Sequence, residues 1–180
     1  MISETAKFLE GHYPVLLTPE QIQQKICELG ETISNDYQGL CPVFIGVLNG
    51  SYMFTADLMR HITLDCEVDF VKISSYGDAM QTSGVVKVRK EIDCHIEERD
   101  VLVVEDIIDS GLSVKYLEKK LTDLKPKSLK FVSLLVKEGS AKVDYRCDYV
   151  GFRIPNRFVV GYGLDYSQKF RNLPAIYVMD

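Results

Sequence analysis

The sequence predicts an α/β fold: a single domain with a central, mainly parallel sheet flanked by helices. The run VLVVEDIIDSG opens on four apolar residues without alternation, as expected for a strand covered on both faces in a parallel sheet. Leu117, Leu121 and Leu124 then recur at helical spacing, and KFVSLLVK supplies the next apolar run. A strand, helix, strand crossover of this kind places ligand-binding loops at the carboxyl ends of the strands.

The first helix is predicted to begin after Thr18. This residue is a favourable N-cap, a proline occupies the first helical position, and Gln21 can complete a capping box. Apolar residues then recur along one face at Ile22, Ile26, Leu29 and Ile33. We expect this stripe to pack against the core.

Further elements are predicted on both sides of the central crossover. PVFIGVL is a strand pattern that ends at Asn49 and Gly50, and a helix follows with Phe54, Leu58 and Ile62 on one face. EVDFVKISSY and VVKVRKEI are strand patterns around GDAMQTSG, a small and polar loop that we expect to be mobile. DYVGFRI and RFVVGYGL add two strand-like segments near the end of the chain.

The composition is that of a globular protein that handles a small molecule. The 180 residues suit one domain, with 46% apolar and 26% charged residues. A net charge of -5 and a pI near 5.3 disfavour a broad basic surface for nucleic acid or an anionic membrane. No apolar run approaches the roughly 20 residues of a membrane-spanning helix, and the amino terminus lacks the features of a secretion signal. A cytoplasmic location is therefore expected.

The cysteines favour reduced thiols over a disulfide framework or a metal site. There are five, an odd number, and they are scattered through the chain. Cys94 lies beside His95, but adjacent side chains without a second pair lack the spacing of a zinc site.

The segment after the central apolar run carries the chemistry. Glu105 and Asp106 follow four apolar residues directly, so two carboxylates are expected at the end of the strand, where burial is costly without partners. A ribose diol or a hydrated magnesium ion would satisfy them. Residues 109–113 then turn into a helix, where free N–H groups, the positive end of the helix dipole and two hydroxyls favour a phosphate. The sequence therefore predicts a site for a phosphorylated ribose.

Other interpretations fit this segment less well. If the two acids were surface residues and Ser110 or Asp109 were a helix cap, capping would explain only one of the polar groups. The receiver domain of response regulators also has a strand ending in an acidic pair, but near its start, and it needs a later strand that ends in a phosphate-accepting aspartate. Neither GxxxxGK[ST] nor GxGxxG occurs, which disfavours ordinary ATPases and dehydrogenases.

VLVVEDIIDSGLS closely resembles the phosphoribosyl-diphosphate-binding motif of phosphoribosyltransferases, in which hydrophobic residues, two acids and two hydrophobic residues precede D-[ST]-G-x-[ST]. Three more segments resemble the hypoxanthine-guanine branch, in the family's order. They are VLNGS at the pyrophosphate loop, SSYG followed by TSG in the lid, and LLVK followed by FVVGYGLDY and KFRNLP. The likeness runs from about Pro42 to the end of the chain.

The resemblance implies a fold and an activity. It implies one domain over residues 1–180 with the type I fold and a small hood formed by chain-terminal segments. It implies transfer of phosphoribosyl from 5-phosphoribosyl 1-diphosphate to N9 of a 6-oxopurine, which gives IMP or GMP and diphosphate in purine salvage. It further implies Mg²⁺ as cofactor and a homo-oligomer, either a dimer or a tetramer.

Carried over by position, the resemblance gives the motif residues roles toward sugar, metal and phosphate. Glu105 and Asp106 would hold the ribose hydroxyls and the water shell of magnesium, and Asp165 would bind a second magnesium. The sugar phosphate would be held by the turn of Asp109, Ser110, Gly111, Leu112 and Ser113. Asp109 would also be catalytic, because its carboxylate would accept or relay the proton at N7 of the purine.

The later segments are given roles toward the base. Lys137 would donate to O6 of the purine, which selects a 6-oxo base because a cation cannot accept a hydrogen bond from the amino group of adenine. Phe158 would stack on the ring, and the Val159 backbone would meet its edge, near Asp165. On pattern alone, Phe158 is more often a core aromatic, and Lys137 or Arg171 is more often a solvated charge.

Diphosphate and the lid complete the implied site. Arg171 and the loop of Asn49 and Gly50 would hold diphosphate, since a guanidinium fits phosphate oxygens. A lid containing Ser75 and Tyr76 would close over the site and exclude water.

The chain departs from the family pattern at four positions. Asn49 replaces the lysine common in VLKG[GS], which puts in doubt a side-chain role there toward diphosphate. Leu112 and Ser113 stand where some members of the family have lysine and threonine, and Gly163 stands where many have alanine. None of these changes removes a catalytic group.

Two alternative functions stay open on the sequence. One is a regulator that senses phosphoribosyl diphosphate and controls a nucleic-acid-binding surface, which the acidic charge disfavours. The other is a transferase that prefers xanthine, which needs only small changes around Phe158 and Val159.

Overall fold

The computed structural model describes residues 11–75 and 86–179, within which three helices and nine strands are formed. In chain order they are β1 (Val15–Leu17), α1 (Pro19–Asp36), β2 (Val43–Leu48), α2 (Tyr52–His61), β3 (Glu67–Ser75), β4 (Val86–Lys90), β5 (Asp100–Ile108), α3 (Leu112–Thr122), β6 (Ser128–Lys137), β7 (Tyr149–Ile154), β8 (Val159–Val160) and β9 (Ile176–Val178).

A six-stranded sheet forms the centre of the fold, in the order β4-β3-β2-β5-β6-β7. All neighbours pair in parallel except β4, which is antiparallel to β3 at one edge. The α3 helix joins β5 to β6, so the predicted strand, helix, strand unit is present. The predicted α/β fold with a mainly parallel sheet is confirmed.

A second, three-stranded sheet is built from segments near the two ends of the chain. Its order is β1-β9-β8, and both of its pairings are antiparallel. We call this sheet, together with the connecting residues 161–175, the hood.

The α1 helix begins where its sequence predicts. Thr18 Oγ1 accepts a hydrogen bond from Gln21 N at 3.3 Å, and Gln21 Oε1 accepts one from Thr18 N at 2.9 Å, so both bonds of the capping box are formed. The four apolar residues of the predicted stripe are all buried: Ile22, Ile26, Leu29 and Ile33.

The central strand β5 is covered on both faces. Val101 and Val103 belong to an apolar cluster that includes the buried face of α3. Leu102 and Val104 belong to the cluster that includes the buried face of α1. Burial on both sides explains why this strand lacks the alternation of a half-exposed strand.

The end of α3 differs from the prediction. The helix stops at Thr122, and Leu124, predicted on its apolar face, lies beyond it with 45% of its surface exposed. Proline disfavours right-handed helical backbone at the preceding residue, so the helix cannot continue through Lys125 to Pro126. Lys125 has a φ of +52°. The chain turns there, so Leu124 leaves the apolar face.

Two general features complete the fold. In the part of the chain that the structure describes, no helix is long and apolar enough to cross a membrane. The five cysteines are free thiols.

Candidate active site

The candidate residues gather at the carboxyl edge of the central sheet. Asn49 and Gly50 directly follow β2, residues 109–113 directly follow β5, and Lys137 is the last residue of β6. Since parallel strands end at the same edge, three segments that are far apart in sequence meet there. The hood lies against the same edge, as its contacts with Gly50 show.

The two acids of the motif lie inside β5, not at its end as predicted. The strand continues to Ile108 because Ile107 and Ile108 still pair with Leu135 and Val136 of β6. Glu105 is therefore buried, with 4% of its surface exposed. Its Oε1 atom has no hydrogen-bond partner among the residues described.

Burial sets the protonation of this acidic pair. Removal from water raises the pKa of Glu105 well above its usual value, and the neighbouring Asp106 raises it further. Burial also raises the pKa of Asp106, to about 6, although its bond from Ile107 N at 2.9 Å and the positive charge of Arg171 oppose the rise. Hydroxyl donors or a cation bound at the pair would favour the charged carboxylates and oppose this rise in pKa.

Two glycines allow the site to close around Asp106. A Cβ atom added to Gly50 would overlap the Asp106 carboxylate, so only glycine lets the loop approach it. A Cβ added to Gly163 would overlap the carbonyl oxygen of Gly50, and Gly163 has a φ of +97°. The Gly50 backbone therefore lies directly between the Asp106 carboxylate and the Gly163 backbone. No side chain separates these three groups, which form one layer of the site. The Leu48–Asn49 peptide bond in this loop is cis.

Arg171 and Asp165 of the hood form an ion pair beside this layer. Arg171 Nη2 lies 2.6 Å from Asp165 Oδ1, and Arg171 Nη1 donates to the Gly163 carbonyl at 2.7 Å. Asp165 Oδ2 accepts from Gln168 N at 2.8 Å. These bonds hold the guanidinium near Asp106. Its positive charge opposes the rise in the pKa of Asp106 that burial causes.

The turn into α3 is built on glycine. Gly111 is the N-cap residue with a φ of +78°, and no side chain caps the helix. The Ser110 hydroxyl lies 3.5 Å from Leu112 N, too far for a strong bond. The interpretation of Asp109 or Ser110 as a structural cap is therefore wrong, and the helix start keeps N–H groups for an anion.

Lys137 and Asp109 face each other across the site. Lys137 Nζ lies 2.9 Å from Asp109 Oδ2, with 11% of the lysine side chain and 52% of the aspartate side chain exposed. Ser140 Oγ donates to the Asp109 carbonyl at 3.0 Å and so holds the backbone of the turn. Lys137 is a largely buried, paired charge, unlike a solvated surface lysine.

Phe158 is available for stacking. It is 44% exposed, so it is not a core aromatic, and its ring meets that of Tyr166 edge to face at 5.9 Å between centroids. Val159 is buried and pairs with Val178, which fixes the backbone beside Phe158.

Some predicted residues lie outside this geometry, and others were missed. Of Ser75 only the backbone is described, at the end of β3, while Tyr76 and GDAMQTSG lie outside the described residues. Sequence reasoning missed Ser140, Tyr162 and Tyr166, because they contact the site or its supports through long-range packing that no local spacing signals.

The acids do not form a closed metal cage. Within the described ranges no group of three or more histidine, cysteine, aspartate or glutamate residues is arranged to hold a metal ion. Glu105, Asp106 and Asp165, predicted as metal residues, therefore fit a cation only together with oxygens from water or a substrate, which is how Mg²⁺ is commonly bound.

Known proteins are similar to this chain over most of its length. The sequence model of the family described as "Phosphoribosyl transferase domain" matches residues 16–167. The chain is 48% identical over 165 residues to the hypoxanthine-guanine phosphoribosyltransferase of Bacillus subtilis, covering 92% of each.

Two solved structures are similar over nearly the whole chain. A hypoxanthine-guanine phosphoribosyltransferase from Bacillus anthracis is 48% identical, with a TM-score of 0.88 over 93% of this chain and 98% of that one. A hypoxanthine phosphoribosyltransferase from Staphylococcus aureus is 41% identical, with a TM-score of 0.91 over 96% and 95%. Because the family match spans most of the sequence, the chain belongs to the type I phosphoribosyltransferase family.

Proposed function

We propose that this protein transfers phosphoribosyl from 5-phosphoribosyl 1-diphosphate to N9 of hypoxanthine or guanine and releases diphosphate. The products are IMP and GMP, made by salvage of free purines. The names of the similar proteins support this substrate class. The observation that carries the proposal is the pair of Lys137 and Asp109, held beside an uncapped helix start.

The turn and the acidic pair hold the sugar phosphate. The N–H groups at the start of α3 and the hydroxyls of Ser110 and Ser113 bind the 5'-phosphate. The ribose hydroxyls donate to Glu105 and Asp106, which supplies the buried Glu105 carboxylate with the partners that it lacks.

The donor set also fits magnesium bound with the substrate. Asp106 and Asp165 lie close enough for the charge of Asp165 to raise the pKa of Asp106, and together they supply carboxylate oxygens that are too few for a protein-only cage but enough with diphosphate oxygens. Bound magnesium would neutralise charge that develops on the leaving diphosphate. Arg171 and the Gly50 backbone hold the same group from the protein side.

The base is recognised by donors suited to a 6-oxopurine. Lys137 donates to O6 once its bond with Asp109 gives way, and Asp109 then turns its carboxylate to N7. Phe158 stacks on the ring, positioned by its edge contact with Tyr166. Adenine is disfavoured because its 6-amino group is a donor and would meet a cation.

The proposed reaction exchanges one bond at C1' of the ribose for another and moves one proton. The C1'–O bond to diphosphate breaks and the C1'–N9 bond forms, while Asp109 takes the proton that leaves the purine. Positive charge that develops on the ribose lies near the acidic pair, which favours the transition state electrostatically.

Three broader features belong to the same proposal. One domain spans residues 1–180, it works in the cytoplasm, and it forms a dimer or a tetramer. Light scattering of the purified protein measures the last of these, and a monomer would contradict it.

Nucleotide formation is the direct test of the function. Purified protein with Mg²⁺, 5-phosphoribosyl 1-diphosphate and hypoxanthine should release IMP and diphosphate in equal amounts. EDTA should abolish the reaction and excess Mg²⁺ should restore it. Absence of nucleotide with both hypoxanthine and guanine would reject the proposal.

A further inference from the structure

We propose that Tyr162 is a positioning residue: its hydroxyl, bound to Asp57 of α2, fixes the hood loop that holds Gly163 and Arg171 against the diphosphate loop. This inference rests on the proposed function. It concerns a residue to which no role toward the substrates has been assigned above.

The Tyr162 hydroxyl belongs to a hydrogen-bond network centred on Asp57, which reaches from the buried tyrosine to the protein surface. Tyr162 is 3% exposed, and its OH donates to Asp57 Oδ2 at 2.5 Å. Gln23 Nε2 of α1 donates to the same oxygen at 2.9 Å, and Arg60 Nη1 donates to Asp57 Oδ1 at 2.9 Å. The carboxylate therefore ties the hood to both helices on this face of the sheet. Burial, and secondarily this hydrogen bond, raise the pKa of Tyr162, so the hydroxyl stays a donor at neutral pH.

The backbone around Tyr162 needs such an anchor. Gly161, Tyr162 and Gly163 have successive φ values of +100°, +49° and +97°, all in the left-handed region. For tyrosine this conformation is unfavourable, because its Cβ atom crowds the backbone there. The hydrogen bond from the Tyr162 hydroxyl to the Asp57 carboxylate offsets that cost and favours this path of the chain.

The same loop carries the contacts that shape the site. Tyr162 N donates to Leu173 O and Gly163 N to Arg171 O, each at 2.8 Å. Gly163 then receives Arg171 Nη1 on its carbonyl and lies against the Gly50 carbonyl. A shift of the loop at Tyr162 thus moves both the guanidinium and the backbone that would hold diphosphate.

Conservative variants separate this role from ordinary stability. Tyr162→Phe removes only the hydroxyl. Tyr149→Phe is the matched control, because Tyr149 is also buried and its OH donates to Asp36 Oδ2 at 2.6 Å. Tyr149 is the first residue of β7, so it lies at the amino ends of the parallel strands, away from the site. Asp57→Asn keeps an acceptor oxygen for Tyr162, whereas Asp57→Ala removes it.

We expect the variants to change the KM values of the two substrates differently. Tyr162→Phe and Asp57→Ala should raise the KM for 5-phosphoribosyl 1-diphosphate about tenfold and change the KM for hypoxanthine less than about twofold. Asp57→Asn and Tyr149→Phe should stay within about twofold of the unmodified protein for both substrates. A Tyr162→Phe enzyme with an unchanged diphosphate-substrate KM, or an equal effect of Tyr149→Phe, would overturn the inference.

Amide hydrogen exchange tests the same role without catalysis. In Tyr162→Phe the amides of Tyr162 and Gly163 should exchange at least tenfold faster, and in Tyr149→Phe they should not. Unchanged exchange refutes the positioning role even in a protein without activity. An unmodified protein that makes no nucleotide would instead refute the proposed function.

Discussion

Lys137 Nζ and Asp109 Oδ2 lie 2.9 Å apart at the carboxyl edge of the central sheet. In this arrangement each group supplies the other with a charge-assisted hydrogen bond. In the proposed function, a purine offers an acceptor to the lysine and a proton to the aspartate, so its binding would replace this bond for both residues. The proposed base selection therefore depends on this pair.

Asp109→Asn should mainly lower turnover. The amide keeps the size of the side chain but cannot take the purine proton, so kcat should fall about 10²- to 10⁴-fold. The KM for 5-phosphoribosyl 1-diphosphate should change by less than about threefold, because the backbone of the turn is kept by Ser140. Steady-state kinetics measure both values, and equal losses in kcat and sugar-diphosphate binding would refute the proton-transfer role.

Lys137→Gln should weaken the choice between 6-oxopurines and adenine. Loss of a charge-assisted bond of about 1.5 to 3 kcal/mol predicts a fall in kcat/KM for hypoxanthine of about 10- to 100-fold. Adenine should become a relatively better substrate, since a glutamine oxygen can accept from its amino group. Lys119→Gln, on the exposed surface of α3, is the control. An unchanged hypoxanthine to adenine ratio in Lys137→Gln would remove Lys137 from base selection.

Gly50→Ala should impair sugar-diphosphate binding. The added Cβ would overlap the Asp106 carboxylate, so the loop must move away from the acid. We expect the KM for 5-phosphoribosyl 1-diphosphate to rise at least about tenfold. Gly11→Ala is the control, because none of the residues that the structure describes lies within 4 Å of its added Cβ. Equal kinetics for the two variants would show that the close approach at Gly50 is dispensable.

Glu105→Gln should stabilise the substrate-free protein at neutral pH. The folded state raises the pKa of Glu105, so it binds more protons than the unfolded state above the usual glutamate pKa of 4.5. Stability is then lost as pH rises from about 4.5 through the folded pKa, and glutamine removes that loss. We expect a gain in the free energy of unfolding of about 1 to 3 kcal/mol at pH 7.5 and almost none at pH 4.

Urea unfolding at the two pH values measures this gain. Glu31→Gln, at an exposed position on α1, serves as the control and should show no pH-dependent gain. A Glu105→Gln protein less stable than the unmodified one at pH 7.5 would show that the carboxylate is not a destabilising group.

Local patterns predicted most of the fold. The capping box at Thr18 and the apolar stripe of α1 follow from short-range hydrogen bonding and helical spacing, which the sequence displays directly. The continuous apolar run of β5 likewise predicted a strand that is buried on both faces. The boundary of β5 was less visible, because Glu105 and Asp106 interrupt the apolar run although their backbone continues the ladder with β6.

The supports of the site depend on contacts that local patterns do not encode. Tyr162 and Asp57 are 105 residues apart in sequence and meet only because the hood folds over α2. Tyr166 meets Phe158 through the same folding. The motif after β5 predicted which chemistry occurs, whereas the packing of the hood decides how accurately the groups are held.

A competition among bases tests the central claim most directly. Purified protein is given Mg²⁺, 5-phosphoribosyl 1-diphosphate and equal concentrations of hypoxanthine, guanine, xanthine and adenine, and the nucleotides formed are separated by mass. The site predicts IMP and GMP as the main products with at most traces of AMP, because Lys137 offers only donors at position 6. AMP as the main product, or no nucleotide at all, would contradict the account.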